Sequence, residues 1–191
     1  MKAELLESKG NKISMKVSGT DVAFLNSIRR CSMGRVSILA IDSITMYENT
    51  SSMFDEYVTH RIGLIPVITP KGVKEGMEVA FSLDETGPKV VYSGDLKTTD
   101  KDVKVAKEKI PIITLFEGQS LRLEGKAVVG TSLTHAKFQA GLAAYDEDEK
   151  GNIVFKAESF FQMSPKEMLV RGCKKLEGDF ADLGKAIKKA K

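Results

Sequence analysis

The run Ser164-Pro165-Lys166-Glu167 spells out the start of a helix. Serine is a preferred N-cap, proline fits the first helical position, and a glutamate three residues after the serine completes a capping box. Beyond it, Leu169, Cys173, Leu176, Phe180, Leu183 and Ile187 recur at spacings of 4, 3, 4, 3 and 4. That periodicity lays one apolar seam along a long helix, and such a seam needs a helical partner in this chain or another. Gly172 and Gly178 each weaken the isolated helix by roughly 1 kcal/mol relative to alanine, so packing must supply its stability. Cys173 lies in the seam and reads as a small hydrophobe rather than a nucleophile.

A second amphipathic helix is expected near the other end of the chain, over residues 21–33. Projected at the helical angle, Phe24, Leu25, Ile28 and Cys31 share one side, Asn26 and Arg30 the other, and Arg29 the flank. Ser18 or Thr20 is the expected N-cap and Gly34 the expected C-cap. A third, short helix is expected over residues 54–62. Asp55 and Glu56 then fall in its first turn, where the helix dipole favours negative charge, and Gly63 and Pro66 stop it.

The rest reads as strands and turns. Ile13, Met15 and Val17 alternate with Ser14 and Lys16; Leu121, Leu123, Ala127 and Val129 alternate with Arg122, Glu124 and Lys126. Both patterns are those of a strand with one buried face. Residues 36–46, 78–83, 89–92, 111–115 and 153–161 are further strand candidates, rich in β-branched and apolar side chains. Asn49-Thr50-Ser51-Ser52 is turn chemistry, as are residues 84–88 and 117–119. The lysine-rich stretch 93–109 is expected as an exposed loop and residues 145–152 as a charged hairpin tip. The fold class expected is α+β.

Composition narrows the function classes. The 191 residues can bury a core for one large or two small domains, and 42% apolar with 29% charged residues is ordinary for a globular chain. No apolar run approaches the roughly 20 residues that span a bilayer, and the N-terminus has no apolar signal core, so no membrane association and a cytoplasmic setting are expected. Cys31 and Cys173 are the only cysteines, neither in a CxxC, and His60 and His135 the only histidines, far apart. No metal-ligand spacing results. The net charge of +3 is too balanced to imply nucleic-acid binding, and the basic C-terminal tail reads as a solvated helix end. Glycine-rich phosphate loops are absent. Asp55, Glu56 and His60 could be drawn as a hydrolytic cluster, but Glu56 and His60 at i,i+4 are more commonly an ion pair. The distinctive residues sit in turns and short helices, where binding surfaces occur.

Those residues carry a resemblance. Asn26-Ser27-Ile28-Arg29-Arg30, Ala40-Ile41-Asp42, Asn49-Thr50-Ser51, Asp55-Glu56 and His60-Arg61-Ile62-Gly63-Leu64-Ile65-Pro66 resemble the D-type subunits of archaeal DNA-directed RNA polymerases. That family is the counterpart of the eukaryotic third-largest polymerase subunits and of bacterial alpha. His135-Ala136-Lys137 resembles its second signature, so the matches span about Asn26 to Glu167. Ser37 stands where the family usually has proline, and Phe138-Gln139-Ala140 where it has Trp-x-Pro, which points to a looser loop after Lys137.

The resemblance implies a non-catalytic assembly platform for transcription, with nucleotidyl transfer performed in other subunits. It implies an alpha-N-terminal-domain-like dimerisation lobe from residues 1–46 and 153–191, interrupted by an inserted, mostly-β lobe over 47–152. Phe24, Leu25, Ile28, Leu169, Cys173, Leu176, Phe180 and Leu183 would pair with the small subunit L. Arg29, Arg30, Asn49, Asp55, Glu56, His60, Arg61, His135 and Lys137 would contact the second-largest subunit and small platform subunits, or brace the loops that do. DNA would be reached only through the complex. The cysteine-rich, ferredoxin-like third domain of many relatives is missing, so no iron–sulfur cluster and no zinc are expected. Two alternatives remain: a self-dimerising alpha-like scaffold, and a small hydrolase built on Asp55, Glu56 and His60.

Overall fold

The computed structural model describes residues 1–147 and 152–190. In chain order its elements are β1 (Lys2–Lys9), β2 (Lys12–Ser18), α1 (Val22–Gly34), β3 (Ile38–Asn49), α2 (Asp55–Gly63), β4 (Glu78–Thr86), β5 (Lys89–Tyr92), β6 (Lys97–Thr98), β7 (Pro111–Leu115), β8 (Ser120–Gly130), β9 (Gly141–Glu147), β10 (Ile153–Ser159) and α3 (Pro165–Lys189). Single 3-10 turns occupy Ser93–Asp95 and Ala136–Phe138. The chain divides into two compact units, Met1–Ser37 with Thr131–Lys191, and Ile38–Gly130.

The first unit is an antiparallel sheet in the order β1-β2-β10-β9, with α1 and α3 packed together and against it. The alternation read in β2 survives: Ile13 and Val17 are buried, and they pair across to Ala157 and Ile153 of β10, also buried. α1 starts one residue later than expected. Its N-cap is Asp21, whose Oδ1 accepts the Phe24 N–H at 2.7 Å, not Ser18 or Thr20. Gly34 is the last helical residue, and Arg35 is the C-cap. Ser164 caps α3 as expected, its hydroxyl accepting the Glu167 N–H at 3.1 Å, while the Glu167 carboxylate accepts Arg171 Nε at 2.9 Å.

Gly172 corrects the reading of glycine as mere helix weakening. A Cβ there would lie 2.3 Å from Ser32 Oγ and 3.0 Å from Ser32 Cα. The two helices cross at this point with no side chain between them, an approach only glycine permits. The seam of α3 is correspondingly split. Met168, Leu169 and Gly172 are buried in the unit, but Phe180, Leu183 and Ile187 remain 60, 55 and 64% exposed.

The second unit is built on the antiparallel sheet β3-β8-β4-β6, with a separate two-stranded sheet β5-β7. β3 and β8 pair along nearly their whole lengths, with register shifts at Ile41/Ser43 and Met46/Glu48. The short helix α2 buries Val58 and Ile62 in a core shared with Leu39, Ile41, Phe81, Leu83, Ile112 and Leu123. Phe54 is its N-cap residue, and Asp55 and Glu56 occupy the first turn as expected.

Several expectations change. The units divide at 37/38 and 130/131, not at 46/47 and 152/153. β3 pairs with β8 over residues 38–49, so β3 stays whole in the second unit, and β9 pairs with β10, so these two strands stay together in the first. β9 itself was not expected. Residues 148–151 of the expected hairpin tip lie outside the described residues. The stretch 93–109 is not simply an exposed loop: Ser93, Leu96 and Val103 are buried. The Ser93 hydroxyl donates to Lys107 O at 2.5 Å and accepts the Ile110 N–H at 3.1 Å, and Val105 bridges to Val67. Isolated apolar residues among lysines carry no period, so their burial has no sequence signature.

Candidate docking surfaces

In the first unit, an apolar groove of about 370 Å³ is lined by Leu25 and Ile28 of α1, Leu169 and Cys173 of α3, and Met15 and Phe155 of the sheet. Four of the residues assigned to dimerisation from sequence therefore come together. Leu25 and Leu169 are nonetheless buried within the unit, Ile28 is half-buried, and Phe24 and Cys173 are exposed. Phe180 and Leu183, further along α3, belong to its unburied half. Leu176 is half-buried and lines a different cleft of about 610 Å³.

That second cleft gathers the arginines. Arg35 grips the Asp179 carboxylate with both terminal nitrogens, one bond at 3.1 Å, and so ties the end of α1 to α3. Arg29 donates through Nε and Nη2 to its helix neighbour Asn26 at 3.0 and 2.9 Å. Arg30 is exposed on the cleft wall. Burial, chiefly, pushes the Cys31 thiol above its usual range.

In the second unit, three of the motif residues, Asn49, Asp55 and Arg61, hydrogen-bond within the unit. The Asn49 amide nitrogen donates to Met53 O at 2.9 Å and to Asp55 Oδ1 at 2.7 Å; its oxygen accepts from Ser51 N and Oγ at 3.1 and 2.6 Å. One side chain thus joins the end of β3 to the first turn of α2. Arg61 clamps α2 to β7, donating Nε to Ile112 O at 2.9 Å and Nη2 to Pro111 O at 2.6 Å. Asn49→Ala is expected to lower stability by about 1–2 kcal/mol in urea unfolding, because it removes this four-bond hub and leaves Asp55 without its amide donor. An unchanged midpoint would show the hub to be dispensable.

Glu56 and His60 lie exposed on α2. Beside them the structure shows what sequence reading passed over: Phe54, Tyr57 and Leu64 form a large exposed apolar set, with Phe54 and Tyr57 rings 6.4 Å apart. The seven-residue spacing of Tyr57 and Leu64, which turns them away from Val58 and Ile62, was the available signal. His135 Nδ1 accepts the Lys137 N–H at 3.1 Å and so caps the 3-10 turn, while the Lys137 ammonium sits 5.3 Å from the Phe138 ring. The Asp55, Glu56, His60 set is not assembled for hydrolysis, since Asp55 is committed to Asn49 and its two companions face solvent. Among the described residues, no group of three or more His, Cys, Asp or Glu side chains is placed to hold a metal ion, and no helix is long and apolar enough to cross a membrane.

Residues 40–146 match the family described as the RNA polymerase Rpb3/RpoA insert domain. The chain is 40% identical over 152 residues to the DNA-directed RNA polymerase subunit Rpo3 of Pyrococcus furiosus, covering 76% of this chain and 58% of the relative. It is 38% identical over 169 residues to Rpo3 of Natronomonas pharaonis, covering 88% and 68%. With Rpo3 of Methanocaldococcus jannaschii it shares 39% identity over 156 residues, covering 82% and 80%. The chain therefore spans less than two thirds of the Pyrococcus protein's length but most of the Methanocaldococcus one. On the match to the family's domain and on this identity, the chain belongs to the Rpb3/RpoA family of DNA-directed RNA polymerase subunits.

Proposed function

We propose that the chain is a non-catalytic assembly-platform subunit of a DNA-dependent RNA polymerase, of the archaeal D type. The observation that carries this reading is the unburied C-terminal half of α3. Phe180, Leu183 and Ile187 continue the seam begun at Leu169, yet remain largely exposed among the described residues. Large apolar residues left in line on a helix call for a partner. The partner is the small, alpha-like subunit L, paired through this helix and the neighbouring apolar groove. The first unit serves as the dimerisation lobe and the second as the inserted lobe.

The inserted lobe docks the second-largest subunit and the small platform subunits. Glu56, His60 and the apolar residues beside them on α2 make contact, while Asn49, Asp55 and Arg61 hold the helix and the turn before it in place. Arg29, Arg30, His135 and Lys137, in the first unit, add polar contacts to the same partners. Exposed charged contacts of this kind set register and association rate more than affinity. The active site lies in other subunits, DNA is met only through the complex, the protein works in the cytoplasm, and neither an iron–sulfur cluster nor zinc takes part.

Co-expression with the L-type subunit of the same genome, followed by size-exclusion chromatography with light scattering, tests this. The expected result is a 1:1 complex. A soluble monomer that ignores this partner would overturn the reading, and a homodimer would replace it with a self-dimerising alpha-like scaffold using the same α3 face.

A further inference from the structure

Helix α3 is held to its unit unevenly. Met168, Leu169 and Gly172 are buried, and Gly172 marks the crossing with α1. Seven residues further on, the Asp179 carboxylate accepts from both terminal nitrogens of Arg35, the C-cap of α1, with one bond at 3.1 Å. Among the described residues, the ion pair formed beyond Asp179 joins Lys185 to Asp182 at 3.0 Å and so stays on the helix. Residues 180–189 therefore project from a root tied at Asp179.

The root is also where the helix resists bending least. Gly178 directly precedes Asp179, and a Cβ there would meet nothing within 4 Å. Glycine leaves the backbone its greatest freedom, and no neighbour packs on that side. Direction at the root matters along the whole seam. Ile187 stands eight residues beyond Asp179, about 12 Å along the helix. A tilt of about 10° at the root would move it by about 2 Å. A gap of about 1 Å already forfeits up to half of a van der Waals contact.

We propose that Arg35 and Asp179 are a positioning pair, which aims Phe180, Leu183 and Ile187 at the small L-type subunit. Their role rests on the polymerase reading above and adds to it the residues that set the direction of the docking helix. Neither member lines the apolar groove assigned to that partner; Arg35 lines the arginine cleft instead. The pair acts through the helix, not by touching the partner. A helix already held in its docking direction loses less freedom on binding, so the tie strengthens pairing without adding a contact. Its two side chains are 41% and 33% exposed, and an ion pair so open to solvent contributes little to the stability of the chain itself. Lys175 stands 3.7 Å from the same carboxylate, so Asp179 keeps a cation on its own helix when Arg35 is removed.

The test titrates the L-type subunit into the full chain carrying Arg35→Ala, Asp179→Asn or both, with thermal unfolding of each variant alongside. Each single variant is expected to pair about tenfold more weakly, and the double variant no more weakly than either, because one tie can be lost only once. Unfolding midpoints should fall by no more than about 3 °C. Adding Gly178→Ala to Arg35→Ala should recover pairing by about threefold, since alanine stiffens the root without touching a neighbour. Losses that multiply in the double variant would overturn the proposal, because the two side chains would then be separate contacts with the partner. Larger falls in the midpoint would overturn it too, by making the pair a prop of the fold, and so would a Gly178→Ala change that recovers nothing. If wild type itself does not pair, the polymerase reading falls and the positioning pair with it; if wild type pairs and the single variants match it, only the positioning pair falls.

Discussion

Phe180→Asp is expected to abolish stable pairing with the L-type subunit while leaving the chain folded. Phe180 is 60% exposed in the isolated chain, so the substitution removes little internal packing and stability should change by no more than about 0.5 kcal/mol. In the complex the same ring would lie in an apolar seam. Truncating a hot-spot aromatic costs about 2–4 kcal/mol of binding, and a carboxylate left in that environment adds a desolvation penalty. The predicted loss is therefore at least about thirtyfold in affinity. Circular dichroism would report the fold and light scattering the stoichiometry. A Phe180→Asp chain that still elutes as a 1:1 complex would show that α3 pairs through another face. Ile28→Asp is a poorer test, because Ile28 is half-buried beside Leu25 and Leu169, and a charge there would damage the chain's own core.

Two glycines of one helix should answer the same substitution with opposite signs. Gly172→Ala is expected to destabilise the chain by about 1–3 kcal/mol, the usual cost of overpacking, because its new methyl group would press on the Ser32 backbone as well as its hydroxyl. The helix-propensity gain of roughly 1 kcal/mol offsets only part of that strain. Gly178→Ala meets nothing within 4 Å, so it should keep most of that gain and stabilise by about 0.5–1 kcal/mol. Urea unfolding of both variants decides the matter. Equal stabilisation would mean that α1 and α3 do not cross at Ser32 and Gly172. Gly172→Ala should also weaken pairing with L, since the apolar groove is walled by both helices.

Both predictions depend on distinctions that local patterns do not carry. The seam from Leu169 to Ile187 has one unbroken period in the sequence, but its first part is buried in the unit and its last part is not. Periodicity reports which residues share a face; it says nothing about how far along that face the partner extends. Met168, which lies just off the seam, is fully buried. Asn49 and Arg61 stood out as motif residues, yet their side chains hold β3, α2 and β7 together. A polar residue that braces a loop and one that meets a partner leave the same trace in a single sequence.

Where an element's cause lies within a few neighbouring residues, the sequence was enough. The Ser164 cap and Pro165 start α3, Asp55 and Glu56 open α2, and the alternation in β2 and β8 faces one side inward. These are short-range effects of capping, dipole and pleat, and they act before any long-range contact forms. Other features waited on chain segments far apart in sequence. Among them are the pairing of β3 with β8, which sets the unit boundary, the burial of Ser93, Leu96 and Val103, and the crossing at Ser32 and Gly172. Each is a matter of which distant surfaces meet, and that depends on the summed burial and hydrogen bonding of the whole fold rather than on any local preference.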